Sequence, residues 1–586
     1  MTEIRRKFVY WALLIASMTI ALYFFVTVVI GIFLSYTSVP ILDMWDSTVG
    51  FYLALQNGNT SIWWAPHNEH RIVLSRLLFW LDLKLTDGRS ILSLATHPTF
   101  AALSVYTFYL FYKQLVVVTS THSRLINILV ASFLTAWLFQ WIQHENFAWA
   151  FQSQFFMAQL LPLMSLYLLA RSSTAQVRRN TWFLAACVLG IASAGTMANG
   201  VICLPILVVY SLITRQSLQR VLVLTVLAIT TLSLYFWDFH TPAHHSSVTQ
   251  SILSQPLNLA RYVLLYIGGP FYYLWGGGKY GLLIAMSATT AMAAYSVYIL
   301  VTPSLAPVSR PDERHRTWQL ALVFYIIYLA GTALGTGGGR LVFGVEQALA
   351  PRYTTPALMA WAALFILCLP TLVAHWQKLR LLIVPAALVL LSQMVVQQTN
   401  SLESHRNQNF ERAQAVLALE LDIKDREKIR SIYPSPEVLI NITNVLRSRK
   451  LSVFGYQPWI GLRERISEFH DIPRALPTCL GHLDTINQIE PEIEQLRVQG
   501  WLMNSETTQP ATLITILDSS NIVIGFALGG QIRNDVANAH GHTALNSGFG
   551  GYIEAPERDR SIRLIADNNA CELVISALPS VAGETN

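Results

Sequence analysis

Apolar runs recur along this chain from Phe8 to about Gln397 and then stop. They lie near 8–34, 91–112, 125–142, 153–170, 181–195, 198–213, 221–239, 279–302, 319–336, 354–370 and 381–397. A bilayer core of about 30 Å asks for about 20 apolar residues per helix, so the pattern predicts about eleven transmembrane helices. A twelfth candidate, 259–275, is interrupted by Gly268-Gly269-Pro270 and followed by Gly276-Gly277-Gly278. Helix propensity is expected to fail at both ends of that stretch, which predicts a membrane-parallel or re-entrant segment. Beyond 400 the pattern changes twice. From Glu403 to about Lys450 it is charged, with Phe410, Ala413, Val416, Leu417 and Glu420 at helix spacing. From about Leu496 it has period two, in LRVQGWLMN, ATLITILDS, NIVIGFALGG, SIRLIADNN and CELVISAL, separated by turn residues. The expected architecture is an α-helical polytopic membrane core over 1–399, a helical linker over 400–480 and a small β-sandwich over 481–586.

Composition agrees with a membrane class. The chain of 586 residues is 53% hydrophobic and 13% charged, with a mean hydropathy of +0.42. The formal charge of +6 is small for this length and gives no case for nucleic-acid binding. Ile4-Arg5-Arg6-Lys7 precedes an apolar run too long for a signal peptide, so an uncleaved first helix is expected. With 259–275 left out of the crossings, the segments 1–7, 113–124, 171–180, 214–220, 303–318 and 371–380 fall on one side, each with two or three Lys or Arg. The positive-inside rule makes that side cytoplasmic and puts the tail outside. Cys187, Cys203 and Cys368 read as core residues, whereas Cys479 and Cys571 lie in the outer tail, where an oxidising compartment allows a disulfide.

On this topology the unusual polar residues collect in outer loops. The first, Ile41 to Arg71, carries Asp43 and Asp46, Trp63 and Trp64, and the run His67, Glu69, His70, Arg71. The second contains Glu145 in a loop without Lys or Arg, the third Asp238, His240, His244 and His245, and the fourth Arg340, Glu346, Arg352 and Tyr353. The middles of the spans hold almost no ionisable side chain, which argues against an ion-coupled transporter. The basic N-terminus, first span, acidic loop Asp43-Met44-Trp45-Asp46, second acidic loop with Glu145, and outer domain after eleven spans together resemble the GT-C superfamily of membrane glycosyltransferases.

The resemblance implies a bacterial inner-membrane enzyme that takes a sugar from a polyprenyl-phosphate donor and delivers it, with inversion, to an extracytoplasmic glycan, lipid or protein. The alternatives are an oligosaccharide polymerase or ligase, and a transporter or scaffold. Such transfer needs a carboxylate to deprotonate the acceptor and a cation or metal to stabilise the leaving phosphate. Asp43 is the favoured base, with Asp46 as a helix cap or metal ligand and Glu145 as a further catalytic acid. Trp64 has the face to stack on a sugar, and equally fits a membrane-interface belt. Glu69, His70 and Arg71 fit substrate binding or a salt-bridged loop anchor, and Asp46, Glu69 and His70 are the candidate ligands if a magnesium or manganese ion takes part. Arg340, Arg352 and Tyr353 are candidates for the donor phosphate, against pairing of the arginines with Glu346 or lipid headgroups. The three loop histidines 240, 244 and 245 read as solvated.

Overall fold

The computed structural model describes residues 3–116, 123–239, 248–305, 313–402, 406–473, 476–490, 493–555, 561–576 and 581–582. The loop histidines 240, 244 and 245 lie outside them. The chain forms two compact units, one of Met1–Phe33, Gly58–Leu78 and Leu92–Glu403, the other of Leu34–Asn57, Phe79–Ile91 and Ser404–Asn586.

The first unit is helical, and helices occupy all eleven apolar segments. Among the described residues, eight are long and apolar enough to cross a membrane. The remaining three are Ile91–Leu115, which carries Thr96, His97 and Thr99 around Pro98, and the short helices Arg179–Ser193 and Cys203–Ile213. The last two have 15 and 11 residues, fewer than a straight crossing needs. The chain is a multi-pass membrane protein.

The expected break at Gly268 does not occur. One helix, Pro256–Leu274, runs through Gly268-Gly269-Pro270 and ends only before Gly276, Gly277 and Gly278, all at positive φ. Proline at its first turn is preorganised for helix, and Pro270, inside it, costs the bond that its missing N–H would make and crowds the Tyr266 carbonyl four residues back. Gly268 is needed for packing: a Cβ there would lie 2.4 Å from the Ala285 carbonyl oxygen on the neighbouring helix Gly278–Leu305. The same physics operates around Pro162, inside Ser153–Thr174. Proline withholds an N–H from the Ala158 carbonyl four residues back, and the buried Tyr328 hydroxyl donates to that carbonyl at 2.6 Å. Tyr325 does likewise to Gln159 at 3.0 Å, so both buried hydroxyls are satisfied deep inside an apolar unit.

In the second unit eight strands form a single sheet in the order β7-β6-β3-β4-β5-β2-β1-β8. They are β1 Cys479–Gln488, β2 Leu496–Asn504, β3 Leu513–Leu517, β4 Val523–Gln531, β5 Gly548–Ile553, β6 Ile562–Ala566, β7 Cys571–Ile575 and β8 Val581–Ala582. The sheet coils until β1 and β7 meet, through the Cys479–Cys571 disulfide and the bridge Thr478–Glu572. The two layers of the expected sandwich are thus two halves of one barrel-like sheet. Alternation sorts its faces: Ile514, Ile516, Phe549 and Leu564 close on each other. Phe526, Leu528, Tyr552 and Ile565 face an apolar cluster that includes Val416 of the helix Arg406–Glu420. Gly550 makes that approach possible, since a Cβ there would come within 1.7 Å of the Gln414 amide.

The acidic first loop belongs to this same unit. Trp45, 1% exposed, packs with Val39, Val49 and Leu53 in the cluster that contains Val416, Ile429 and Ile432. Asn409 donates to the Tyr36 carbonyl, Tyr456 to that of Ser38, and Arg449 to the side chains of Gln56 and Asn57. At the centre of the unit, fully buried Asp425 caps the short helix Arg426–Ile429 and takes a two-pronged contact from Arg497 at 2.8–3.1 Å and the Tyr552 hydroxyl at 2.7 Å.

Candidate functional site

In the first unit two acid–arginine pairs flank the stretch that joins the helices Glu313–Arg340 and Thr354–Ala374. Arg340 ends the first helix and lies 3.6 Å from Glu69, whose carboxylate is also 3.6 Å from His70 Nε2. Arg352 precedes the second helix and donates to Glu145 Oε2 at 3.2 Å. Neither arginine is in the ion pair with Glu346 that proximity in sequence suggested; each finds a carboxylate from a distant loop. All four side chains keep between 23% and 32% of their surface exposed, so both pairs remain open to a ligand.

Local structure explains the placement. His67 and His70 exchange backbone hydrogen bonds at 2.7 and 2.9 Å, with Asn68 left-handed at φ 51°, so Glu69 stands at the tip of a tight turn. Asn146 donates to the Arg352 carbonyl and to Thr355, both at 2.7 Å, and Thr355 in turn donates to Gln143. That network fixes the loop bearing Glu145 against the segment bearing Arg352. The Arg352 guanidinium lies 5.1 Å from the Tyr353 ring, and Tyr353 stacks on Tyr266 at 5.0 Å. Tyr262 lies 6.5 Å from Tyr266, so three tyrosine rings follow one another from Arg352.

Arg71 and Trp64 are used differently. The buried Arg71 donates to the carbonyls of Trp64, Tyr235 and Trp237 at 2.6–2.8 Å and lies over the Trp64 ring at 5.0 Å. These bonds occupy the guanidinium with one carbonyl of its own loop and two at the end of the helix Leu218–Phe236, which is the geometry of an anchor. The contacts come from carbonyls rather than from an acid.

In the second unit, Asp43 and Asp46 bracket the start of the π-helical turn Trp45–Gly50. Asp46 is not the cap of that turn, a position held by Met44, but its second residue, and it accepts the Tyr433 hydroxyl at 2.7 Å. The residue before Asp43, Leu42, is left-handed at φ 49°, and its N–H donates to the Ile432 carbonyl at 2.7 Å. Burial first, then the hydrogen bond and charge of Asp46 and the charge of Asp43, raise the Tyr433 hydroxyl above its ordinary value, so it is a proton donor at neutral pH.

Of the candidate metal ligands, Glu69 and His70 are adjacent, with the Arg340 cation beside them, while Asp46 belongs to the other unit. Among the described residues no group of three or more His, Cys, Asp or Glu side chains is placed to hold an ion. Sequence reasoning missed Tyr433, Tyr235, Tyr266 and Thr355; each meets its partner across more than 160 residues or through a ring stack, and leaves no local pattern.

Fold and site define a multi-pass helical membrane protein with exposed acid–arginine pairs in one unit and an acidic turn joined to a sheet domain in the other. No family model and no curated protein matches the chain. Among solved structures, the crystal structure of ArnT from Cupriavidus metallidurans in the apo state is similar, with 16% identity and a TM-score of 0.34 over 70% of this chain and 81% of that one.

Proposed function

We propose that the protein is a membrane glycosyltransferase of the GT-C type, transferring a sugar with inversion from a polyprenyl-phosphate donor to an extracytoplasmic glycan, lipid or protein at a bacterial inner membrane. The observation that carries this reading is the Arg352–Glu145 pair, partly exposed and held by the Asn146–Thr355–Gln143 network at the ends of apolar helices. Charge kept in such surroundings is costly, is offset by pairing, and is a mark of a functional site. A planar guanidinium suits the donor phosphate, and its carboxylate partner holds it until that anion arrives. In the reaction, Asp43 accepts the acceptor hydroxyl's proton, the acceptor oxygen bonds to the sugar's anomeric carbon from the face opposite the phosphate, and the carbon–phosphate oxygen bond breaks. Polyprenyl phosphate leaves with both electrons of that bond, its charge stabilised by a cationic side chain.

The test is transfer by purified full-length protein from labelled polyprenyl-phosphate sugars. Turnover should fall about 10²-fold in Asp43→Asn. In Arg352→Lys, which keeps the charge and loses the fork, the donor KM should rise by about 5- to 100-fold. Absence of transfer from every donor tried, or unchanged kinetics in both variants, defeats the proposal.

A further inference from the structure

We infer that Tyr433 of the tail is a positioning residue for the Asp43–Asp46 turn, acting on the reaction through its hydrogen bond to Asp46. The inference rests on the catalytic role proposed for that turn.

Two consecutive tail residues grip the turn from both sides of Asp43. Ile432 takes the Leu42 N–H on its carbonyl at 2.7 Å, and Tyr433 donates its hydroxyl to Asp46 Oδ2 at 2.7 Å, across 387 residues of sequence. What they hold is unusual backbone. Leu42 sits at φ 49°, a conformation that costs a non-glycine residue of order 1–2 kcal/mol. Three residues further on the chain enters a π-helical turn, a form rare in proteins and concentrated at functional sites. Neither would persist in an isolated loop. Below the turn Trp45 is buried at 1% exposure, so its floor is fixed by packing while Asp46 itself is exposed. A merely adhesive tyrosine would need no acid at its tip. Here the hydroxyl bonds one carboxylate oxygen of Asp46 and sets the direction of a negative charge three residues along the chain from Asp43.

Removing only the hydroxyl separates the two roles, because the ring, the Leu42–Ile432 bond and the Trp45 core all remain in Tyr433→Phe. In the full-length protein, Tyr433→Phe should lower kcat about 10-fold or more, with donor KM within about twofold and the melting temperature unchanged. In an Asp46→Asn background the same substitution should have no further effect. Wild-type kcat in Tyr433→Phe, a loss confined to KM or to melting temperature, or full additivity with Asp46→Asn overturns the inference while Asp43→Asn remains inactive. Where Asp46→Asn is too slow to measure, the kcat–KM split in Tyr433→Phe decides. Full turnover by Asp43→Asn overturns the underlying reading and the inference with it.

Discussion

Glu420 closes the helix Arg406–Glu420 with its carboxylate almost wholly buried, 2% exposed, and Arg447 Nε 3.8 Å away. Burial outweighs the attraction of Arg447 and pushes the acid up to about 7. The folded state therefore binds a proton that the unfolded chain releases above its ordinary value of 4.5. The stabilisation is complete below that value and is lost as pH rises through about 7. Glu420→Gln should flatten this dependence. Thermal unfolding of both forms at pH 5 and pH 8 should show wild type losing on the order of 3 kcal/mol more than the variant between the two. Equal losses would mean that Arg447 keeps the acid charged. Single residues of this kind were partly legible in the sequence: Glu145 stood out as an acid in a loop without cations. Arg352 stood out as a phosphate candidate, but its pairing with Glu145, 207 residues away, did not, because nothing local encodes a contact at that separation.

At the scale of elements, legibility followed side-chain volume. β2, β3, β4, β6 and β7 alternate large apolar and polar residues and were readable. β1, CLGHLDTINQ, and β5, GFGGYI, are poor in branched residues and were not. The glycines of β5 are there for neighbours: at Gly551 a Cβ would lie 2.2 Å from the Phe526 carbonyl oxygen. The helix Pro256–Leu274 inverts the usual reading of glycine and proline in the same way, since Gly268 is a packing residue and no hinge. Gly268→Val should therefore force that helix from its neighbour Gly278–Leu305, at a cost of about 1–3 kcal/mol. A lower melting temperature in detergent would show it. Gly335, with nothing within 4 Å of its Cβ position, is the control and should tolerate alanine.

For the whole molecule, the count of loop charges makes its own prediction. A reporter fused after residue 400 should read extracytoplasmic and one fused near 310 cytoplasmic, as eleven crossings and a non-crossing 259–275 require. A cytoplasmic tail reporter would reverse the topology and remove the extracytoplasmic acceptor with it. The sequence shows that the apolar runs stop near residue 400. That Leu34–Asn57 folds with the tail was not readable, because Trp45, Val49 and Leu53 read equally well as the rim of a membrane span.

This discontinuous unit also sets a timetable for biosynthesis. Val39, Trp45, Val49 and Leu53 leave the ribosome roughly 360–390 residues before Val416, Ile429 and Ile432, an interval of about 20–80 s at about 5–20 residues per second. Throughout that interval the partners that will cover these side chains do not yet exist, and most of the membrane helices are inserted in the meantime. Any chain terminated early is left carrying the uncovered segment, which marks it for aggregation or for proteolysis at the membrane.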